Sequence, residues 1–175
     1  SNSSLLGEFW TERAGDLGIS NGQIELFAGE QSVATVNGIL EADVEVSAEI
    51  DIIGGGNAGL LARYTGPGDS NAYMALLQPT SGGAFAAQIW KNTGAGWENL
   101  SHSLISGGAG ELRFLLEGSR LQLFFNGDLV GDVTDTSITG PGTVGVRQGG
   151  GSIDNLSASV PADDFDLLVA ESLFA

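Results

Sequence analysis

The sequence predicts an all-β fold, a two-sheet antiparallel jelly-roll sandwich, and three observations carry that prediction. Apolar and polar residues alternate with period two over several stretches. Turn signals recur about every eight to twelve residues. No segment shows the apolar spacing of a long amphipathic helix. The 175 residues, 42% of them hydrophobic, are enough for one good core. The 28 glycines suit many tight turns.

Taken in order, the region of Trp10 reads as a short strand entering the core. Ile19 to Leu26 reads as two strand pieces around Asn21-Gly22, a two-residue hairpin turn. Ser32 to Val36 is a further short strand. Leu40 to Ile53 gives the clearest alternation: Ala42, Val44, Val46, Ala48 and Ile50 against Glu41, Asp43, Glu45, Ser47 and Glu49. One face of that strand is buried and the other is a ladder of acids.

Strands follow at Asn57 to Tyr64, Ala72 to Leu77, Ala84 to Lys91, Gly96 to Ser103 and Glu111 to Glu117. Leu121 to Phe125 and Asp128 to Val133 form a hairpin around Asn126-Gly127, the strongest local turn signal in the chain. Thr143 to Arg147 and Ser152 to Val160 close the body, joined by three glycines. The sandwich is therefore expected to span 1–160. Residues 161–175 form an acidic, then apolar tail that reads as one more strand, since a free Leu167-Leu168-Val169 edge is a liability. Both termini are expected to dock. The start at Ser1 rather than Met is read as loss of an upstream piece.

Composition excludes several function classes. Acids outnumber bases 22 to 6, a formal charge of −16. Phosphate backbones and anionic membrane surfaces repel such a chain, whereas divalent cations suit it. No apolar run approaches a membrane span. There is no cysteine, so disulfides, thiolate metal sites and cysteine nucleophiles are out. The chemistry points to an extracellular or cell-surface, prokaryotic setting.

Ala58-Gly-Leu-Leu-Ala-Arg-Tyr64 followed by Ala72-Tyr-Met-Ala-Leu-Leu77 resembles the Gly-Leu-X-X-Arg … Tyr strand pair of concanavalin A-like lectin/glucanase (laminin-G-like) domains. Leu121 to Val130 looks like their Asn/Asp-Gly hairpin. Asp135 to Arg147 and Ile153-Asp-Asn-Leu156 resemble their closing strands. The resemblance covers roughly residues 5 to 160 and implies a fold, not a ligand. Such domains usually open with an Asp-Asp-Phe segment. Here Asp163-Asp-Phe-Asp166 stands at the back instead. The tail either folds on its own domain, begins a further unit, or completes a neighbouring copy of the chain through Phe165, Leu167, Val169 and Leu173.

The resemblance also implies one structural calcium ion. Its ligands are expected at Asp154, with Asp163 or Asp164 and backbone carbonyls completing the oxygen shell. The alternative is that backbone N–H groups cap Asp154. A carbohydrate site needs aromatic platforms and planar polar groups. Arg63, Tyr73 and Trp97 are the candidates, Trp97 following a Gly-Ala-Gly turn, while Trp10 and Trp90 are expected in the core.

Glu41-Ala-Asp43-Val-Glu45 has the carboxylate spacing of retaining laminarinase-type enzymes. The ladder continues to Glu49 and Asp51, however, and reads as a generic acidic face. Gly54-X-Gly56-X-X-Gly59 imitates a dinucleotide fingerprint, but a strand follows where a helix is required. His102 is the only histidine and reads as structural or exposed. Asn2, Asn99 and Asn155 stand in glycosylation-acceptor patterns. The leading expectation is a non-catalytic structural or adhesive module that self-associates into a polymer or array, with calcium as a stiffening ion. The alternatives are a carbohydrate-binding module that takes a polysaccharide and, behind it, a glycoside hydrolase.

Overall fold

Residues 6–161 are described by a computed structural model. They form twelve strands, and every pairing between them is antiparallel. In chain order these are β1 (Trp10–Ser20), β2 (Gln23–Val36), β3 (Val44–Asp51), β4 (Ala58–Tyr64), β5 (Ala72–Pro79), β6 (Phe85–Asn92), β7 (Trp97–Ile105), β8 (Ala109–Glu117), β9 (Arg120–Phe125), β10 (Asp128–Thr134), β11 (Thr143–Gln148) and β12 (Ser152–Ser159).

One layer runs β10-β9-β8-β3-β12 and the other β11-β4-β5-β6-β7. The two stack with β3 over β4, and with β9 and β10 over β6 and β7. The β1–β2 hairpin joins them. Its Asn21-Gly22 turn places both residues at positive φ, 52° and 82°, as a tight two-residue turn requires. Ile24 and Glu25 of β2 pair with β12, whereas Ser32 to Thr35 pair with β11. Bulges in β1 between Glu12 and Leu17 let the ribbon bend from one layer into the other.

Two expectations change here. Gln23 to Val36 is one continuous strand rather than two pieces. The closing strands β11 and β12 do not pair with each other, because each takes a different part of β2. The glycine turn between them crosses layers. There a Cβ on Gly56 would lie 2.5 Å from the Gly150 Cα, so the two backbones meet where no side chain fits.

The interlayer core follows the predicted alternation. Val44, Val46, Ala48 and Ile50 of β3 join Leu112, Phe114 and Leu116 of β8 and Leu121, Leu123 and Phe125 of β9. Opposite them stand Leu60 and Ala62 of β4, Tyr73, Ala75 and Leu77 of β5, and Ile89 of β6. Trp10 packs against this core, as expected. A second apolar cluster lies on the other side of the β4–β5–β6 layer: Val33, Leu61, Tyr64, Ala72, Met74 and Leu76, with Ala14, Trp90 and Trp97 against it. A sheet covered on both faces is why β4 is buried along its whole length.

From Asp154 to Ser159, β12 pairs with β3 on one side and with no described strand on the other. A groove of about 270 Å³ lined by Trp10, Val36, Ile39, Leu156 and Ala158 lies beside Leu156 and Ala158 of this stretch. The tail residues Asp163, Asp164, Phe165, Leu167, Val169 and Leu173 lie outside the described residues, so the expectations placed on them do too.

Candidate functional site

The outer face of the second layer is built in cross-strand rows. Pairing aligns Val33, Arg147, Gly59, Leu76, Gln88 and His102 in one row, and Thr35, Gly145, Leu61, Met74 and Trp90 in the next. Side chains in such rows share a face and touch their neighbours. Between them Asn57, Met74, Leu76, Gln78, Trp90, Trp97 and Arg147 line a groove of about 200 Å³. Its floor is apolar, from Met74 and Leu76. Its walls carry two indoles, two amides and a guanidinium. Apolar bodies with a few convergent polar groups are what small-ligand sites offer.

Arg147 is the most constrained of these. Its Nε donates to both oxygens of Asp69 at 2.8 and 3.0 Å, and Nη2 donates to Asp69 Oδ2 at 2.7 Å. Nη1 donates to Gln31 Oε1 at 2.8 Å. The guanidinium carbon stands 5.4 Å from the centre of the Trp97 ring, within range of a cation–π contact.

Asp69 is delivered by a braced loop. Tyr64 Oη donates to Gly68 O at 2.7 Å, Asn71 Nδ2 to Gly66 O at 2.7 Å, and Asn92 Nδ2 to the Asp69 carbonyl at 3.0 Å. Burial is the main reason the Tyr64 phenol is pushed above its ordinary range, so it stays a hydrogen-bond donor.

Next to this clamp, Trp90 Nε1 donates to Gln88 Oε1 at 2.8 Å, and Gln88 Nε2 bonds His102 Nδ1 at 2.7 Å. Trp97 Nε1 and Asn57 Oδ1, both buried, have no hydrogen-bond partner among the described residues. One is a donor and the other an acceptor, and their residues line the same groove.

Of the three expected sugar contacts, Trp97 lies at this groove and the other two do not. Tyr73 is fully buried between the layers. Its Oη donates to Asp135 Oδ1 at 2.6 Å and accepts from the Ile138 N–H at 3.1 Å. Arg63 is 1% exposed. Its guanidinium donates to the carbonyls of Ala42, Ile138 and Gly118 at 2.6, 2.8 and 2.7 Å. Burial pulls its pKa below the usual arginine value.

The physical reason is local. Strict alternation would put Arg63 on the outer face with Leu61, but φ at Arg63 is +50°. That left-handed residue turns the side chain inward and sends Tyr64 outward instead. Trp90, expected in the core, follows the row of Leu61 and Met74. It belongs to the outer cluster rather than to the core.

Asp154 sits on β12 with its Oδ1 accepting from the Asn155 N–H at 2.7 Å. It shares a shallow depression with Glu49 and Asp51. Among the described residues no group of three or more His, Asp or Glu is placed to hold a metal ion. The other expected calcium ligands, Asp163 and Asp164, lie outside the described residues, so the bond from the Asn155 N–H is what the structure gives for Asp154. The laminarinase-like acids are engaged elsewhere: Asp43 Oδ1 accepts from the Gly118 N–H at 2.8 Å, and Glu45 pairs with Arg113 at 2.9 Å.

No family model matches the chain, and no curated protein matches it. Solved structures do. A carbohydrate-binding module, CBM66 from Bacillus subtilis, superposes with a TM-score of 0.74 at 16% identity over 89% of this chain and 97% of that one. The carbohydrate recognition domain of Emp46p in its potassium-bound form gives 0.65 at 13% identity, covering 89% and 90%. The GH43 protein BlXynB from Bacillus licheniformis gives 0.65 at 16% identity over 89% of this chain but only 37% of its own length. At these identities the likeness establishes the fold alone, an all-β jelly-roll sandwich.

Proposed function

We propose that this chain is a non-catalytic carbohydrate-binding module whose ligand seats in the groove of Trp97, Asn57, Trp90, Gln78 and Arg147. The observation that carries the reading is the pair of unpartnered polar atoms in that groove. A buried N–H and a buried carbonyl oxygen without partners each cost about 1–3 kcal/mol. A ligand that supplies both partners recovers that cost on binding. Indole faces beside an apolar floor suit the C–H faces of a sugar ring. The shared fold of the carbohydrate-binding module and the carbohydrate recognition domain supports the same reading. The structural bonds held by Asp43 and Glu45 favour binding over hydrolysis.

The test is calorimetric binding to soluble glycans chosen from an array, with Trp97→Phe and Asn57→Ala as variants. Trp97→Phe removes the N–H and keeps a ring. Each variant is expected to weaken binding by roughly 3- to 10-fold, one neutral hydrogen bond each. Unaltered affinity in both variants sinks the assignment of the groove. An array without a single hit sinks the function.

A second reading, a structural or adhesive module that self-associates by strand addition, is favoured by the stretch of β12 from Asp154 to Ser159 that no described strand pairs on one side. Native mass of the full chain and of a version ending at Val160 tests it, with EDTA added to reveal any calcium-dependent contact. Large particles that vanish on truncation support it, and monomers throughout exclude it.

A further inference from the structure

We infer that the ligand of this groove is an uncharged, hydroxyl-rich sugar, and that Asp69 excludes acidic glycans. The inference rests on the reading of the groove as a glycan site. It goes further by assigning the chemical class from the donors and acceptors left open.

The two unpartnered atoms ask for opposite things. Trp97 Nε1 only donates and Asn57 Oδ1 only accepts. A hydroxyl satisfies both kinds of group, since it donates one proton and accepts with its lone pairs. A carboxylate or sulfate oxygen only accepts. It could take the indole proton, but it would present lone pairs to the Asn57 carbonyl oxygen.

The cation in the groove reinforces this. Among the described residues Arg147 is the only charged one lining it, and its charge is already matched. Asp69 takes Nε and one proton of Nη2, and Gln31 takes one of Nη1. Of five N–H donors, about two remain, which is enough to hold sugar hydroxyls. An acidic sugar would have to displace Asp69 to find an unmatched positive charge. It would do so against a chain of net charge −16. Asp69 is thus a specificity determinant: it neutralises the guanidinium and fixes it over Trp97.

The experiment uses the full chain and matched probes, namely neutral oligosaccharides and the same backbones oxidised at C6 to uronates. The wild type is expected to bind at least one neutral sugar and to bind its uronate about tenfold or more weakly. Neutral binding is expected to change less than about twofold across a tenfold range of salt. Asp69→Asn is expected to shift the neutral-to-uronate ratio toward the uronate by about tenfold, because it unmasks Arg147. Gln31→Ala, which leaves the charge match intact, is expected to leave that ratio within about twofold. A uronate bound as tightly as its neutral partner overturns the inference and leaves the glycan site standing. Failure of every probe of both kinds overturns the site and the inference together.

Discussion

Asp69 and Arg147 meet through a two-point contact, Nε to Oδ1 at 2.8 Å and Nη2 to Oδ2 at 2.7 Å, beside the apolar floor of Met74 and Leu76. The geometry is a planar fork on a planar carboxylate, which lysine cannot reproduce. The Arg147 side chain is 12% exposed and that of Asp69 is 30% exposed, so solvent screens the pair only in part. Arg147→Lys is expected to cost about 1–2 kcal/mol. In a chain of this length that reads as a fall of roughly 2–8 °C in Tm. Glycan affinity is expected to fall as well, because Trp97 loses its cover. Scanning calorimetry and binding on the same preparation check both. Full retention of both leaves the clamp without a role.

Arg63 answers to a different measurement. Its guanidinium holds three main-chain carbonyls, from the segment before β3, the β8–β9 turn and the loop after β10. Arg63→Met fills much of the volume but removes all three of these bonds. The expected cost is about 3–5 kcal/mol, since hydrogen bonds from a charged donor are each worth about 1.5–3 kcal/mol and water replaces part of the loss. Urea titration reads it directly. A midpoint within error of wild type contradicts a tying role for Arg63.

The two arginines also show what the sequence makes legible. Asn21-Gly22, Asn126-Gly127 and the alternation of β3 rest on local chemistry, and each falls where local rules put it. The bend of β2 rests on which strand offers a partner at each end, which no local window contains. Arg63 and Arg147 look alike as residues in strands. What separates them is a single positive φ at Arg63 that reverses the facing of the end of β4. Trp97 was visible through its glycine turn. Asn57 and Asp69 were not, because their meaning comes from the rows that Gly59 and Arg147 complete across the sheet.

Tyr73 and Asp135 predict the shape of stability against pH. Burial, then the hydrogen bond to Asp135, pushes the Tyr73 phenol up to about 12. Its proton is held more tightly in the folded chain. That contribution is complete below about pH 10, the unfolded value, and is lost as pH rises towards 12.

Burial alone would raise the Asp135 carboxyl. Hydrogen bonds from Lys91, Tyr73 and Ser137 outweigh it and hold the group well below the carboxylate range. That contribution is present above about pH 4 and is lost as pH falls further. Asp135→Asn is therefore expected to flatten the acid limb of the urea midpoint against pH, and Tyr73→Phe the alkaline limb. Curves parallel to wild type on both sides refute the coupling.

The Trp90–Gln88–His102 chain fixes a tautomer. An indole N–H can only donate, so the Gln88 oxygen must face Trp90, 2.8 Å away. The Gln88 amide nitrogen then faces His102, and Nδ1 must accept across 2.7 Å. His102 is accordingly the neutral form with its proton on Nε2, held by a glutamine that is 4% exposed. Gln88→Glu keeps the shape and reverses one end. Both carboxylate oxygens accept, so the Trp90 bond survives while His102 must present a proton at Nδ1. Nitrogen NMR of the single histidine is expected to show Nδ1 unprotonated in wild type and protonated in the variant at the same pH. A wild-type Nδ1–H would mean that Gln88 is turned around and leaves the Trp90 N–H facing another donor, which buried amide networks do not sustain.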